Sequence, residues 1–183
     1  MKHVNTVTKI IAKILEVCHW VATGFMVAIA ICSQAAPQWL GHLMNPDTIP
    51  EGTVSIYGFE VVLTDAAGEL STKALLLAAI SGFLLCALVA MIFRNIYLII
   101  RKSEGTTPFQ KDNIRMVREI GIFSIAIPVI GLIMSIIARL VLGVAATESS
   151  VNLSGFIMGI IILSLTQVFA YGVELEKDVD GLL

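Results

Sequence analysis

The sequence predicts an all-α membrane protein: a four-transmembrane-helix bundle with a small extracytoplasmic β-hairpin between helices 1 and 2. Three observations predict it. The chain of 183 residues is 57% hydrophobic and only 14% charged, against about 25% charged in an average soluble domain. Its apolar residues cluster in four runs, 10–33, 74–100, 120–144 and 153–173, each meeting the roughly 20 residues that hydrocarbon requires. The cations are also segregated, with Lys73 at the start of the second run breaking the pattern. Positions 33–72 hold Asp47, Glu51, Glu60, Asp65 and Glu69 but no Lys or Arg, and the link after the third run holds only Glu148. Lys2, Lys9, Lys13, Arg101, Lys102, Lys111, Arg115 and Arg118 all fall on the other side. Lys and Arg in short loops stay cytoplasmic. The expected topology has both termini inside and the two loops that lack Lys and Arg outside. A single integral membrane domain is expected over 1–183, with helices at about 8–33, 73–101, 108–144 and 151–174 and an outer loop at 34–72.

The first run has a basic start, but its apolar part outlasts the roughly 7–15-residue core of a signal peptide. Glu16 and His19 also interrupt it, so it reads as a retained helix. In the outer loop, Pro37, Pro46 and Pro50 oppose a long helix, and Trp39 sits where an aromatic belt residue belongs. TVSIYGFEVVLT is rich in Val, Ile, Tyr and Phe. It reads as two short strands, 53–57 and 59–64, turning near Gly58. They form either a loop cover or a ligand or partner surface.

RKSEGTTPFQKDNIRMVREIG is the most charged stretch of the chain. Thr107, Pro108 and Gln110 have the form of a capping box with Pro at the first helical position. The third helix should therefore begin at Pro108, ahead of the membrane, and carry Lys111, Arg115 and Arg118 as a stripe. Pro128 should kink it and free a carbonyl that Ser124 or a neighbouring helix satisfies. In the fourth helix, Gly155 and Gly159 form a G-x-x-x-G spacing, suited to close packing within the chain or in a homo-oligomer.

Three polar residues fall inside the spans at one estimated depth. Arg94 lies seven residues before Arg101, about 10 Å inward. Glu16 in the first helix and Gln167 in the fourth are similarly placed, and His19 shares a face with Glu16. Intramembrane charges are expensive and pair. The expectation is a polar layer of Glu16, His19, Arg94 and Gln167 with a Glu16–Arg94 ion pair, acting as a structural clamp or as a proton- or ligand-responsive site. The tail adds Glu174, Glu176, Asp178 and Asp180 on the side of the basic stripe.

The three cysteines lie in or beside the spans without a C-x-x-C spacing and read as packing residues. No P-loop, H-E-x-x-H or G-x-S-x-G occurs, and His3, His19 and His42 do not offer the paired ligands of a haem. No cofactor or metal and no enzymatic activity is expected. The basic stripe is too small for direct nucleic acid binding. Membrane lipids are its expected partner.

With TPFQKDNIRMVREIG opening the third helix, the Gly58-Phe59 outer segment and the ending LTQVFAYGVELEKDVDGLL, the chain resembles the bacterial domain-of-unknown-function family 2975. Pro108-Phe109, Arg118, Ile120-Gly121 and the acidic 174–180 carry the resemblance, which covers nearly the whole chain. It implies no catalytic residues. It implies a membrane protein paired with a small cytosolic helix-turn-helix regulator, held through Lys111, Arg115, Arg118, Glu174, Glu176 and Asp178. The function expected is a membrane regulatory or sensor protein. The alternatives are a small transporter or channel component using Glu16 and Arg94, and a structural or lipid-binding membrane protein.

Overall fold

The computed structural model describes residues 2–36, 38–40, 52–65, 68–104, 110–147 and 153–180. In order, the elements are α1 (Lys2–Ala35), β1 (Thr53–Ile56), β2 (Phe59–Val62), α2 (Thr72–Lys102), α3 (Lys111–Leu142), a 3₁₀ turn at Val144–Ala146, and α4 (Leu153–Asp180). The architecture is the predicted one, four long helices and one antiparallel hairpin. All four helices are long and apolar enough to cross a membrane. The 31 residues of α2 reach about 46 Å at 1.5 Å per residue, more than the roughly 30 Å of a hydrocarbon core.

Polarity is distributed the reverse of a soluble domain. Ile10, Ile14, Val21, Phe25 and Ile31 of α1 and Leu153, Ile157, Ile160 and Val168 of α4 are exposed, while Glu16, Ser81, Asn95, Ser135 and Thr166 are buried. The buried hydroxyls are satisfied within their own helices. Ser81, Ser135 and Thr166 donate to the carbonyls of Leu77, Gly131 and Ile162, the i−4 bond available to Ser and Thr in a helix. Apolar surface outside with satisfied polar groups inside is the pattern of a multi-pass membrane protein.

The helix ends follow local chemistry. Arg101 and Lys102 lie in the last turn of α2, and Asp112 lies in the first turn of α3, each complementing the helix dipole. The predicted cap residues Thr107 and Pro108 lie outside the described residues. Gln110 is placed at the helix start, and its carbonyl accepts from the Ile114 N–H at 3.1 Å. Helix α3 continues through Pro128, and Ser124 donates to the Ile120 carbonyl. Helix α4 runs to Asp180, six residues beyond the predicted end at 174.

The chain divides into two compact units: Met1–His19, Leu88–Ala126 and Leu153–Leu183, here the terminal unit, and Trp20–Ala87 and Ile127–Asn152, here the hairpin unit. Helices α1, α2 and α3 contribute to both. Helix α4 belongs wholly to the terminal unit, and the hairpin belongs to the hairpin unit.

The hairpin unit is built around β2. Phe59, Val61 and Leu63 alternate inward and are fully buried. They cluster with Leu40, Leu75, Ala78, Leu85, Met134 and Ala138. Cross-strand pairs run from Thr53 opposite Val62 to Ile56 opposite Phe59. The turn residues Tyr57 and Gly58 both have positive φ, 49° and 90°, as a two-residue type I′ turn requires. One glycine makes room for the hairpin. A Cβ on Gly82 would meet Met26 at 2.8 Å and Ile56 at 3.2 Å, whereas one on Gly131 would stand in ordinary contact, 3.9 Å from the Phe59 nitrogen. Gly82 lies ten residues into α2, so the turn reaches about 15 Å along that helix. Burial, and secondarily the Cys86 thiol, push the Tyr57 phenol above its ordinary value. The Thr147 hydroxyl donates to the Glu60 carbonyl and ties the segment after α3 to β2.

In the terminal unit, α3 and α4 meet at two glycines. A Cβ on Gly159 would stand 2.4 Å from Ile125 Cγ1 and 2.9 Å from the Gly121 carbonyl oxygen, and one on Gly121 would stand 2.8 Å from Leu163. Gly159 of the predicted G-x-x-x-G pair is therefore spent on contact within the chain, against the glycine of the Ile120-Gly121 pair. Small residues of this kind let helices approach to backbone contact.

Candidate functional site

The polar residues of the terminal unit form paired contacts, and the pairs differ from those the sequence suggests. Glu16, at 7% exposure, does not meet Arg94. Its carboxylate accepts from Lys13 Nζ at 3.0 Å, an i,i+3 pair on α1. The same ammonium lies 5.1 Å from the centre of the Tyr97 ring on α2, within cation–π range. Lys9 pairs with Glu104 just past the end of α2. These lysines thus hold α1 to α2.

Arg94 is exposed, while its neighbour Asn95 is 4% exposed. One residue turns a helix by about 100°, and that step puts the amide inward and the guanidinium outward. Asn95 Nδ2 donates to Glu119 Oε2 at 3.0 Å. The other Glu119 oxygen lies 3.4 Å from Arg115 Nε. Asn113 donates to the Ser103 hydroxyl at 3.3 Å, and Lys102 pairs with Asp112 at 2.7 Å. The polar layer of this unit is therefore Asn95–Glu119–Arg115 between α2 and α3. His19 sits apart from it, its Nδ1–H donating to the Leu15 carbonyl at 2.7 Å and its ring 5.5 Å from that of Phe93. Gln167 is exposed on α4 and joins none of these pairs.

Asn95 and Glu119 were the residues that reasoning from charge alone passes over. Asn carries no charge, and Glu119 sits in a run of charges that reads as a solvated helix start. Their shared signal is position: Asn95 lies seven residues before Lys102, and Glu119 eight after Lys111. Replacing Asn95 by Leu is expected to remove a hydrogen bond to a charged group and to destabilise the protein by about 1–2 kcal/mol. Thermal unfolding in detergent, with Arg94→Leu as the near-neutral comparison, measures it.

Beyond this layer, the predicted stripe is present. Lys111, Arg115 and Arg118 are all exposed on α3, at helical spacing. Lys111, Arg118 and Glu174 form no ion pair with another described residue. The side chains of Glu176 and Asp178 lie outside the described ones, though both positions are helical in α4. Next to the stripe, α3 and α4 bound a cleft of about 410 Å³ lined by Arg118, Ile122, Leu163, Thr166, Gln167 and Ala170. Among the described residues no group of three or more His, Cys, Asp or Glu could hold a metal ion.

What this arrangement does chemically is hold helices in register and present charge.

No protein-family model matches the chain, and no curated protein or solved structure matches it either.

Proposed function

We propose that this chain is a non-enzymatic regulatory or sensor protein of the bacterial cytoplasmic membrane, with both termini in the cytosol. In this reading the terminal unit docks a small cytosolic helix-turn-helix regulator. The observation that carries it is a charge contrast between two packed helices. Helix α3 starts with exposed Lys111, Arg115 and Arg118. Helix α4 continues as helix to Asp180 through Glu174, Glu176 and Asp178. Because Lys111, Arg118 and Glu174 are not consumed by partners among the described residues, docking them costs no existing ion pair. The resemblance to family 2975 supplies the class of partner, and the basic residues supply the orientation.

A transport reading draws on Glu16, a buried carboxylate in the first helix. Against it, Lys13 already engages that carboxylate, and Phe59, Val61, Leu63, Leu85 and Met134 fill the core of the hairpin unit. The regulatory reading is therefore preferred. It predicts that the protein in lipid nanodiscs retains a helix-turn-helix protein from its host. Reversing Lys111 and Arg118 to Glu, which leaves the Arg115–Glu119 pair intact, should abolish retention and leave thermal unfolding within a few degrees of the original. Equal retention by both forms, read by mass spectrometry, would refute the docking role of the stripe.

A further inference from the structure

The cleft between α3 and α4 has a floor and two rims of different chemistry. Ile122, Leu163 and Ala170 make the floor. Arg118 stands at one end, exposed and without an ion pair among the described residues. A second, adjoining cleft of about 310 Å³ shares Gln167 and Ala170 with the first and ends at Tyr171 and Glu174. Glu174 is likewise exposed and without an ion pair among the described residues. Between them the two clefts are lined by a cation, an amide, a phenol and a carboxylate, and the apolar Ile122, Leu163 and Ala170 share the first cleft with the cation.

The position suits a lipid. Arg118 is two residues before the third apolar run, and Glu174 is the first residue after the fourth. Both fall where long polar side chains reach the headgroup layer. An acyl chain fits beside Ile122 and Leu163. The guanidinium is the side chain best matched to a phosphate. The carboxylate selects among phospholipids, because it repels a purely anionic headgroup and attracts one that ends in a cation.

We propose that these two clefts bind one phosphoethanolamine phospholipid, its phosphate on Arg118, its ammonium on Glu174 and its acyl chain over Ile122 and Leu163. Gln167 donates its amide N–H to the phosphate oxygens, and Tyr171 closes the side of the headgroup. Arg118 then serves the lipid, while Lys111 and Arg115 line neither cleft. The inference rests on the membrane reading of the four helices; a lipid on Arg118 and Glu174 leaves Lys111 and Arg115 to a regulator.

The test is native mass spectrometry of the purified full chain in detergent. It is offered equimolar phosphatidylethanolamine and phosphatidylglycerol with identical acyl chains. The expected result is one phosphatidylethanolamine per chain, retained in preference to phosphatidylglycerol. Arg118→Gln should weaken retention of both lipids by about threefold to tenfold. Glu174→Gln should erase the preference between them. Ile122→Trp fills the floor at an exposed position and should lower retention of both lipids without touching either charge. Phosphatidylglycerol retained as well as or better than phosphatidylethanolamine by the unmodified chain would overturn the proposal. So would unchanged retention by Arg118→Gln. Should Arg118→Gln fail to fold, unchanged retention by Ile122→Trp overturns it instead.

Discussion

Replacing Phe59 by Ala should destabilise the protein by about 3–5 kcal/mol, the range for deleting a large buried aromatic side chain. Phe59 is 0% exposed and sits where β2 leaves the turn, against α3 at Gly131. Its ring packs in the cluster that includes Leu85 of α2 and Met134 of α3. Truncation leaves a cavity in that cluster. The comparison substitution is Tyr57→Phe, two residues away at a 41% exposed position, which keeps the ring and should be nearly neutral. Thermal unfolding in one detergent measures both. A Phe59→Ala protein as stable as Tyr57→Phe would mean that the hairpin is a cover and not the core of its unit.

Gly159→Val should be nearly as damaging, by about 1–3 kcal/mol, for the opposite reason. It adds volume where none is free. The first new atom would lie 2.4 Å from Ile125 Cγ1 and 2.9 Å from the Gly121 carbonyl oxygen. Ile125 can turn only through a restricted set of χ1 rotamers, and a backbone oxygen cannot yield without moving α3. The helices must separate, and the groove beside them changes with them. Ile125→Ala in the same chain relieves the closer of the two contacts, so the double variant should recover part of the lost stability. Full stability of Gly159→Val alone would show that α3 and α4 do not pack at these glycines.

Much of this architecture can be read in the sequence, for physical reasons. Twenty or more apolar residues in a row have few soluble solutions, and the four runs become four helices. The hairpin was legible to within two residues. Gly58 marks its turn, and Tyr57 beside it takes the first positive φ of the pair. The seat of the hairpin was less legible, yet its signal is present. Phe59, Val61 and Leu63 alternate with Glu60, Val62 and Thr64, the period of a strand with one buried face. Short strands beside membrane spans read as loop unless that alternation is given weight.

The sequence suggests a Glu16–Arg94 pair, whereas Glu16 pairs with Lys13 and Arg94 is exposed. Depth follows from counting residues along a helix at 1.5 Å each. Which side chain faces inward depends on helix phase, and an error of one residue turns the face by about 100°. That step separates exposed Arg94 from buried Asn95. Lys13, which the sequence presents as a topology cation, lies one turn from Glu16 and neutralises it locally. A buried carboxylate with a lysine at i−3 needs no arginine from another helix.

The account rests on which side of the membrane the charged helix ends face, and one measurement tests that directly. In a chain whose Cys18, Cys32 and Cys86 are changed to Ser, single cysteines are placed at Glu69 and at Arg101, both exposed. Intact cells are then treated with a membrane-impermeant maleimide. The prediction is that Glu69→Cys is labelled at once, and Arg101→Cys only after the cells are permeabilised. Labelling of Arg101→Cys in intact cells, with Glu69→Cys protected, would put the basic stripe outside and contradict a cytosolic partner.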